Sequence, residues 1–330
     1  MSLHRRQFLA TAALPAASML FAGVRNSIGA EPVSTRLTPA EFQRKLRGPM
    51  LSFPTCYTKD FQLDYAGMRR MIDRAIKSGV GVVTLTAGNN DYECLTDDEI
   101  RQLTRFMIET VDGRAVTIAA TGPWWSGQSI EYAQFAEAAG VDAVQILMAA
   151  NGTDEGHVKH FQQIASAIKL PLVLHGEPSM ELWKRLVTID SLVAFKLEAD
   201  HPLGLPVLEE FGDRLNIFAG GRDSTFLAYQ PHGMQAYFSV FTPFAPEIAM
   251  QIWEAVTENR LQDAHQVIKR YEMPFFEQWG KFGGLAFWRA TLEHFGVASR
   301  WQRPPAQSLT DAQMQEVKDF YEQLGLTPRS

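Results

Sequence analysis

Leu192-Val193-Ala194-Phe195-Lys196-Leu197-Glu198 is the stretch on which the fold turns. Four apolar residues of strand length end on a lysine, the pattern of a buried strand that delivers one cation to its C-terminal end. The same unit recurs outward from it in both directions. Short apolar runs fall at 50–54, 80–86, 115–119, 143–147, 170–175, 192–196, 216–219 and 236–240, and segments of helical spacing alternate with them at 64–77, 96–111, 129–139, 155–168, 180–187, 203–211 and 224–230. Asp64 and Thr96 stand where N-caps belong, and Gly79 and Gly140 sit just past helices, where left-handed caps belong. Alternating strands and helices build a parallel sheet. Eight units, none followed by a glycine-rich phosphate loop, predict an α/β chain folded as a (β/α)8 TIM barrel rather than an open doubly wound sheet. Past Pro246 the spacing is helical only, at 247–259, 261–271, 274–295 and 309–324. This predicts a barrel over 48–246 and a C-terminal helical extension over 247–330, able to cover the barrel or to join copies into a homo-oligomer.

In such a barrel, chemistry collects at the strand C-termini. Those positions here are 55–57, 88–91, 121–125, 148–151, 175–177, Lys196 and Glu198, 220–223 and 239–242. Lys196 stands out. At the ordinary lysine pKa near 10.4 only about one amine in 2,500 is neutral at pH 7, and an apolar barrel mouth favours the neutral form by desolvation. A neutral amine attacks a ketone and gives an imine that accepts electrons from a breaking C–C or C–O bond. The competing reading is an ion pair to Glu198 or Asp223.

Several segments, taken in order, carry a family resemblance: Leu51-Ser52-Phe53-Pro54, Ala87-Gly88-Asn89-Asn90-Asp91-Tyr92-Glu93-Cys94-Leu95-Thr96, Ala194-Phe195-Lys196-Leu197-Glu198-Ala199, and Gly233-Met234-Gln235-Ala236-Tyr237-Phe238-Ser239 leading to Pro246. From about residue 48 to 295 the chain resembles the dihydrodipicolinate synthase and N-acetylneuraminate lyase family, and its first strand is nearest to the 5-dehydro-4-deoxyglucarate dehydratase branch. The resemblance implies a lyase that needs no cofactor, with Lys196 as the Schiff-base residue and a keto acid or sugar acid as substrate. It also implies departures. The family's carboxylate-binding Gly-Thr-Thr-Gly-Glu loop is Ala87-Gly88-Asn89-Asn90-Asp91 here, and no tyrosine stands between Tyr132 and Tyr229 to shuttle protons. The arginine that grips the second substrate in lysine-pathway members falls near Met180, which argues against aspartate-semialdehyde condensation. His175, with an ordinary pKa near 6.5, is the substitute acid and base. Substrate binding is assigned to Gly88, Asn89, Asn90, Arg222 and Ser239, with Arg222 able to form a bidentate pair with a carboxylate.

Two other functions compete. A metal-dependent barrel hydrolase would draw ligands from His157, His160, His175, Glu177 and His201, but His157 and His160 lie in an outer helix segment, so no metal site is expected. A degenerate, non-catalytic binder of keto acids or sugar acids is the second. Trp124-Trp125 is either a stacking surface or a packed corner.

The chain carries 31 basic and 37 acidic residues, a net charge of −6, and residues 1–30 hold Arg5, Arg6 and Arg25 without an acid. The remainder is therefore more acidic still, which argues against nucleic acid and anionic membranes as partners. His4-Arg5-Arg6-Gln7-Phe8-Leu9 precedes an alanine-rich apolar run interrupted by Pro15 and ending near Gly29-Ala30. This pattern is that of a twin-arginine export signal over 1–30, too short for a stable membrane anchor. It predicts a periplasmic protein with residues 31–47 as a polar lead-in. Cys56 and Cys94, the only cysteines, are read as buried free thiols, with a disulfide as the alternative.

Overall fold

The computed structural model describes residues 37–198 and 202–328. Eight parallel strands follow one another in chain order: β1 (Gly48–Ser52), β2 (Val82–Thr84), β3 (Val116–Ala120), β4 (Ala143–Leu147), β5 (Leu172–His175), β6 (Leu192–Glu198), β7 (Asn216–Gly220) and β8 (Ala236–Phe238). They form a closed barrel, in which Gly48 of β1 pairs with Ala236 of β8. Closure leaves no strand edge open. Side chains alternate between two apolar environments, as a pleated strand requires. Met50, Val82, Ile118, Ala143, Val173, Ala194, Phe218 and Phe238 share the inner cluster. Their neighbours Leu51, Val83, Ala119, Val144, Leu174, Phe195, Ile217 and Tyr237 face the helices.

The outer ring comprises α2 (Tyr65–Lys77), α3 (Asp97–Val111), α4 (Ser126–Ala139), α5 (Asp154–Ala167), α6 (Met180–Leu186), α7 (Gly204–Phe211), α8 (Asp223–Tyr229) and α9 (Pro246–Thr257). Polar side chains start several of them. The Asp64 carboxylate accepts from Gly67 N–H, and Thr96 forms a reciprocal cap with Glu99. Helix α9 belongs to this ring although it lies beyond Pro246. The Tyr237 hydroxyl of β8 donates to Ala249 O at 2.6 Å, and the Trp253 indole fills the space beside Gly48 of β1.

The strand bounds differ from the apolar runs for local reasons. Strand β2 ends at Thr84 because the Thr86 N–H turns to the Asn90 side chain. Strand β6 runs on to Glu198 because Leu197 and Glu198 keep their pairing with Ala219 and Gly220. The segment expected to be a polar lead-in contains α1 (Pro39–Lys45). Phe42 is fully buried and, with Leu46 beyond the helix end, joins the inner cluster. The Asn216 amide at the start of β7 ties this segment down by donating to Gln43 O and Leu46 O at 3.0 and 2.8 Å.

Beyond α9 come α10 (Leu261–Val267), a π-helical stretch (Ile268–Glu272), α11 (Met273–Phe282), α12 (Leu285–His294) and α13 (Asp311–Leu324). The helix expected over 274–295 breaks at Gly283 and Gly284, both at positive φ. Helical backbone also continues through the π stretch to Pro274, a residue read from sequence as a helix start. Phe275, Phe287, Phe295 and Tyr321 pack into this chain's own core. Both cysteines are free, Cys56 buried and Cys94 partly exposed. Phe42→Ala should destabilise the chain by about 3–5 kcal/mol, the usual cost of deleting a buried phenyl group, measured by urea unfolding. A loss below about 1 kcal/mol would show that α1 does not seal the barrel floor.

Candidate active site

Residues two apart on β6 share a face, so Ala194, Lys196 and Glu198 all point into the barrel. Their outward neighbours Phe195 and Leu197 are fully buried under the helices. On β5, His175 stands directly opposite Lys196, and Leu147 of β4 stands opposite His175. This register brings three polar groups together at the C-terminal mouth. The Lys196 ammonium donates to Glu198 Oε1, and the same oxygen accepts from His175 Nε2 at 2.8 Å. Lys196 Nζ lies 3.2 Å from that ring nitrogen.

Space for this cluster comes from β7 and β8. A Cβ on Gly220 would stand 3.0 Å from Lys196 Cε and 2.9 Å from Glu198 Oε2, so a side chain there would displace both. Lys196 Nζ also sits 5.5 Å from the centre of the Phe238 ring, on whose face a cation is stabilised. The lysine side chain is only about a tenth exposed. The approach is apolar as the sequence predicts, but the amine at its end meets a carboxylate rather than apolar surface. Of the two ion-pair partners considered, Glu198 holds it; Asp223 is occupied elsewhere.

The protonation pattern follows from these contacts. Burial and the neighbouring Lys196 charge push the His175 pKa below its ordinary value, against the opposing pull of Glu198. The imidazole is therefore neutral at pH 7. Burial alone would raise the Glu198 pKa, yet the His175 hydrogen bond and the Lys196 charge outweigh it and hold the carboxyl at about 2. Gln145 of β4 completes the arrangement, with its Nε2 3.4 Å from His175 Nδ1. An ionised carboxylate offers only lone pairs, so Nε2 carries the proton that faces Glu198 and Nδ1 is the ring's acceptor.

Opposite this cluster, at the ends of β1 and β2, stands a second polar group. Asn89 Nδ2 donates to Ser52 Oγ at 2.8 Å, and Ser52 Oγ lies 3.3 Å from Thr86 Oγ1. The two hydroxyls missing from the loop sequence are thus replaced by two from strand ends. Gly88 begins the loop, with open space where a Cβ would stand. Since all strands are parallel, the 88–91 loop and Lys196 lie at the same end of the barrel.

Other candidates are occupied by structural contacts. The Asn90 side chain accepts from Thr86 N–H at 2.7 Å and donates to Phe53 O at 3.0 Å, so it ties two loops together. Ser239 Oγ donates to Asp223 Oδ2 at 3.2 Å and accepts from Phe241 N–H. Arg222 turns outward, its guanidinium 4.0 Å from the centre of the Phe276 ring of α11. Asp223 is fully buried, and burial together with the nearby Glu272 carboxyl raises its pKa well above the ordinary range. His157 and His160 lie on α5, where His160 Nδ1 is 3.0 Å from Ser126 Oγ. Glu177 is exposed, and His201 lies outside the described residues. No group of three or more metal-ligating side chains occurs among the described residues. Trp124 stacks on Tyr92 at 6.0 Å, whereas Trp125 is mostly exposed.

Glu198, Gln145, Ser52 and Thr86 went unassigned as functional residues in the sequence. Glu198 carried a usable signal, its two-residue spacing from Lys196 on one strand. The other three become meaningful only once the register is known.

The site is thus a lysine, a carboxylate and a neutral histidine in mutual contact at the mouth of a parallel barrel. The chain belongs to the Dihydrodipicolinate synthetase family, whose model matches residues 45–324. It is 30% identical over 252 residues to the Probable 5-dehydro-4-deoxyglucarate dehydratase 2 of Streptomyces avermitilis, covering 71% of this chain and 74% of that protein. Identity to the 4-hydroxy-tetrahydrodipicolinate synthase of a Psychrobacter species is 25%, covering 69% and 78% of the two chains. A dihydrodipicolinate synthetase-like crystal structure from Pseudomonas aeruginosa superposes with a TM-score of 0.77 at 23% identity, over 84% of this chain and 99% of that one. The YagE protein of E. coli K12, solved in complex with pyruvate, superposes with a TM-score of 0.76 at 22% identity, over 85% and 99% of the two chains. The chain has the lyase and dehydratase chemistry of this family.

Because the His175 pKa is lowered, a reaction that uses the neutral imidazole should hold its kcat/KM plateau down through pH 6.5 and fall only below it. A pH profile whose acid limb is centred above 6.5 would assign that limb to another group.

Proposed function

We propose that the chain forms an imine between Lys196 and the keto carbon of a 2-keto acid or keto sugar acid, and there cleaves, condenses or dehydrates it. The contact of Lys196 Nζ with both Glu198 and His175 carries this reading. Glu198, ionised at neutral pH, holds the Lys196 amine in place, and the ammonium gives up its proton to water at the mouth. The neutral amine adds to the ketone, and loss of water leaves the imine. When a C–C bond or a C–H bond next to the imine breaks, the electron pair moves into the imine nitrogen. His175 transfers the accompanying proton, in place of the tyrosine that this chain lacks. Ser52, Thr86 and Asn89 hold the substrate carboxylate through two hydroxyls and an amide. The structural relative solved with pyruvate supports a 2-keto acid as the common part of the substrate.

Borohydride reduction in the presence of pyruvate should fix the keto acid to Lys196, located by mass mapping. Lys196→Ala should abolish the adduct. His175→Phe should keep adduct formation and lower turnover by roughly 10²–10⁴, the share of a general acid–base group. No reducible adduct from the unaltered chain with any of a panel of keto acids would refute the covalent route.

The protein is also proposed to be exported through the twin-arginine route and to work in the periplasm. The support is the arginine pair at Arg5-Arg6 and the short apolar run, which lie outside the described residues. Protein recovered from its native cell should then lack residues 1–30, as read by N-terminal sequencing. An intact N-terminus would overturn the proposal.

A further inference from the structure

A cavity of about 490 Å³ lies at the barrel mouth between the loop after β2 and the end of β4, within the range of small-molecule sites. Its walls include Ala87, Tyr92, Pro123, Trp124, Leu147 and Leu285. Its position ties it to the lysine. Leu147 stands opposite His175 in the sheet, and His175 stands opposite Lys196. At its other side lies Gly88, next to Asn89 of the polar group at β1 and β2. A keto acid held between that group and Lys196 would therefore extend its remaining carbons along the β4 side, into this cavity.

The charge of the cavity restricts what fits. Among its described lining residues the ionisable acids are Asp91 and Glu93, and none is a cation. The nearby Arg289 is fully buried, with its two terminal nitrogens committed to Asp91, Thr55 O and Gln302 Oε1. Arg222, which follows the end of β7, stacks on Phe276 of α11. A second carboxylate on the substrate would thus enter an apolar-walled cavity with no free counter-charge, Asp91 already being paired with Arg289 and the exposed Glu93 adding a negative charge at its edge, at a heavy desolvation cost. A flat apolar group would instead lie against Trp124, Tyr92, Leu147 and Leu285.

We infer that this chain acts on 4-hydroxy-2-keto acids whose distal part is uncharged and apolar, with an aromatic ring as the best fit, so that cleavage gives pyruvate and an apolar aldehyde. The inference rests on the lysine-imine reading above. With the imine formed on Lys196, the C3–C4 bond breaks and its electron pair passes into the imine, giving an enamine. The C4 hydroxyl proton passes to the Glu198–His175 pair as the aldehyde forms. Protonation of the enamine at C3 and addition of water then release pyruvate and restore the amine. No oxidant or reductant enters.

The reverse reaction provides the test. The full chain is given pyruvate together with benzaldehyde, glyceraldehyde or succinic semialdehyde, and the same preparation is treated with borohydride and pyruvate alone. Benzaldehyde should react with a kcat/KM about tenfold or more above the other two, the usual reach of an apolar pocket. Trp124→Ala should shrink that ratio by about tenfold. Leu285→Arg, which brings a cation to the cavity from the half-buried first residue of α12, should turn the preference toward succinic semialdehyde. Adduct formation with equal or reversed aldehyde preference would overturn this inference and leave the lysine-imine reading standing. Absence of the adduct would overturn that reading, and this inference with it.

Discussion

Strand pleating is the constraint on which the rest depends. Residues two apart on β6 point the same way, so Lys196 cannot enter the barrel without bringing Glu198 with it. The register of β5 against β6 then adds His175 opposite the lysine. Three ionisable side chains are thereby placed in contact by backbone pairing rather than by loop conformation. Strand-borne groups are held more rigidly than loop-borne ones, which suits a site where nucleophile and proton carrier must stay within hydrogen-bond reach.

The electrostatics of the cluster depend on that proximity. A half-buried carboxylate, a mostly buried imidazole and a mostly buried ammonium would each be costly alone. Together, the ammonium and the Nε2 proton satisfy one carboxylate oxygen, and the imidazole stays neutral because it is buried and the lysine charge lies beside it. Gly220 permits the arrangement by leaving its space open on β7.

The C-terminal helices shape the mouth from outside. Arg289 of α12 reaches Asp91 in the loop after β2 and Thr55 O after β1, and Arg303 joins Glu99 and the backbone at Phe61 and Cys94. Glu272 in the π stretch accepts from the backbone N–H groups of Asp223 and Ser224 at the start of α8. That buried carboxyl stabilises the helix start and raises the pKa of Asp223 beside it. The extension consumes the arginines and acids that a loop-by-loop reading would assign to substrate.

Much of this protein was legible in its sequence because strand and helix patterns are local. Eight short apolar runs alternating with amphipathic segments determined the barrel, and the apolar run ending on Lys196 determined which amine enters it. The end of β6, the α1 plug and the break at Gly283-Gly284 were less legible, since each depends on a partner distant in the chain. Among site residues, Asn90, Ser239 and Arg222 read as ligands because they stand at strand ends, yet the tertiary structure turns each toward protein: Asn90 to Phe53 O, Ser239 to Asp223 and Arg222 to Phe276. Conversely, Gln145, Ser52 and Thr86 look unremarkable until register sets Gln145 against His175 and the two hydroxyls beside Asn89. Sequence alone determined the lysine and the barrel that carries it. Only the tertiary structure decided which groups face that lysine, because contact between strands depends on register, and a one-residue slip turns a side chain from the mouth to the helical shell.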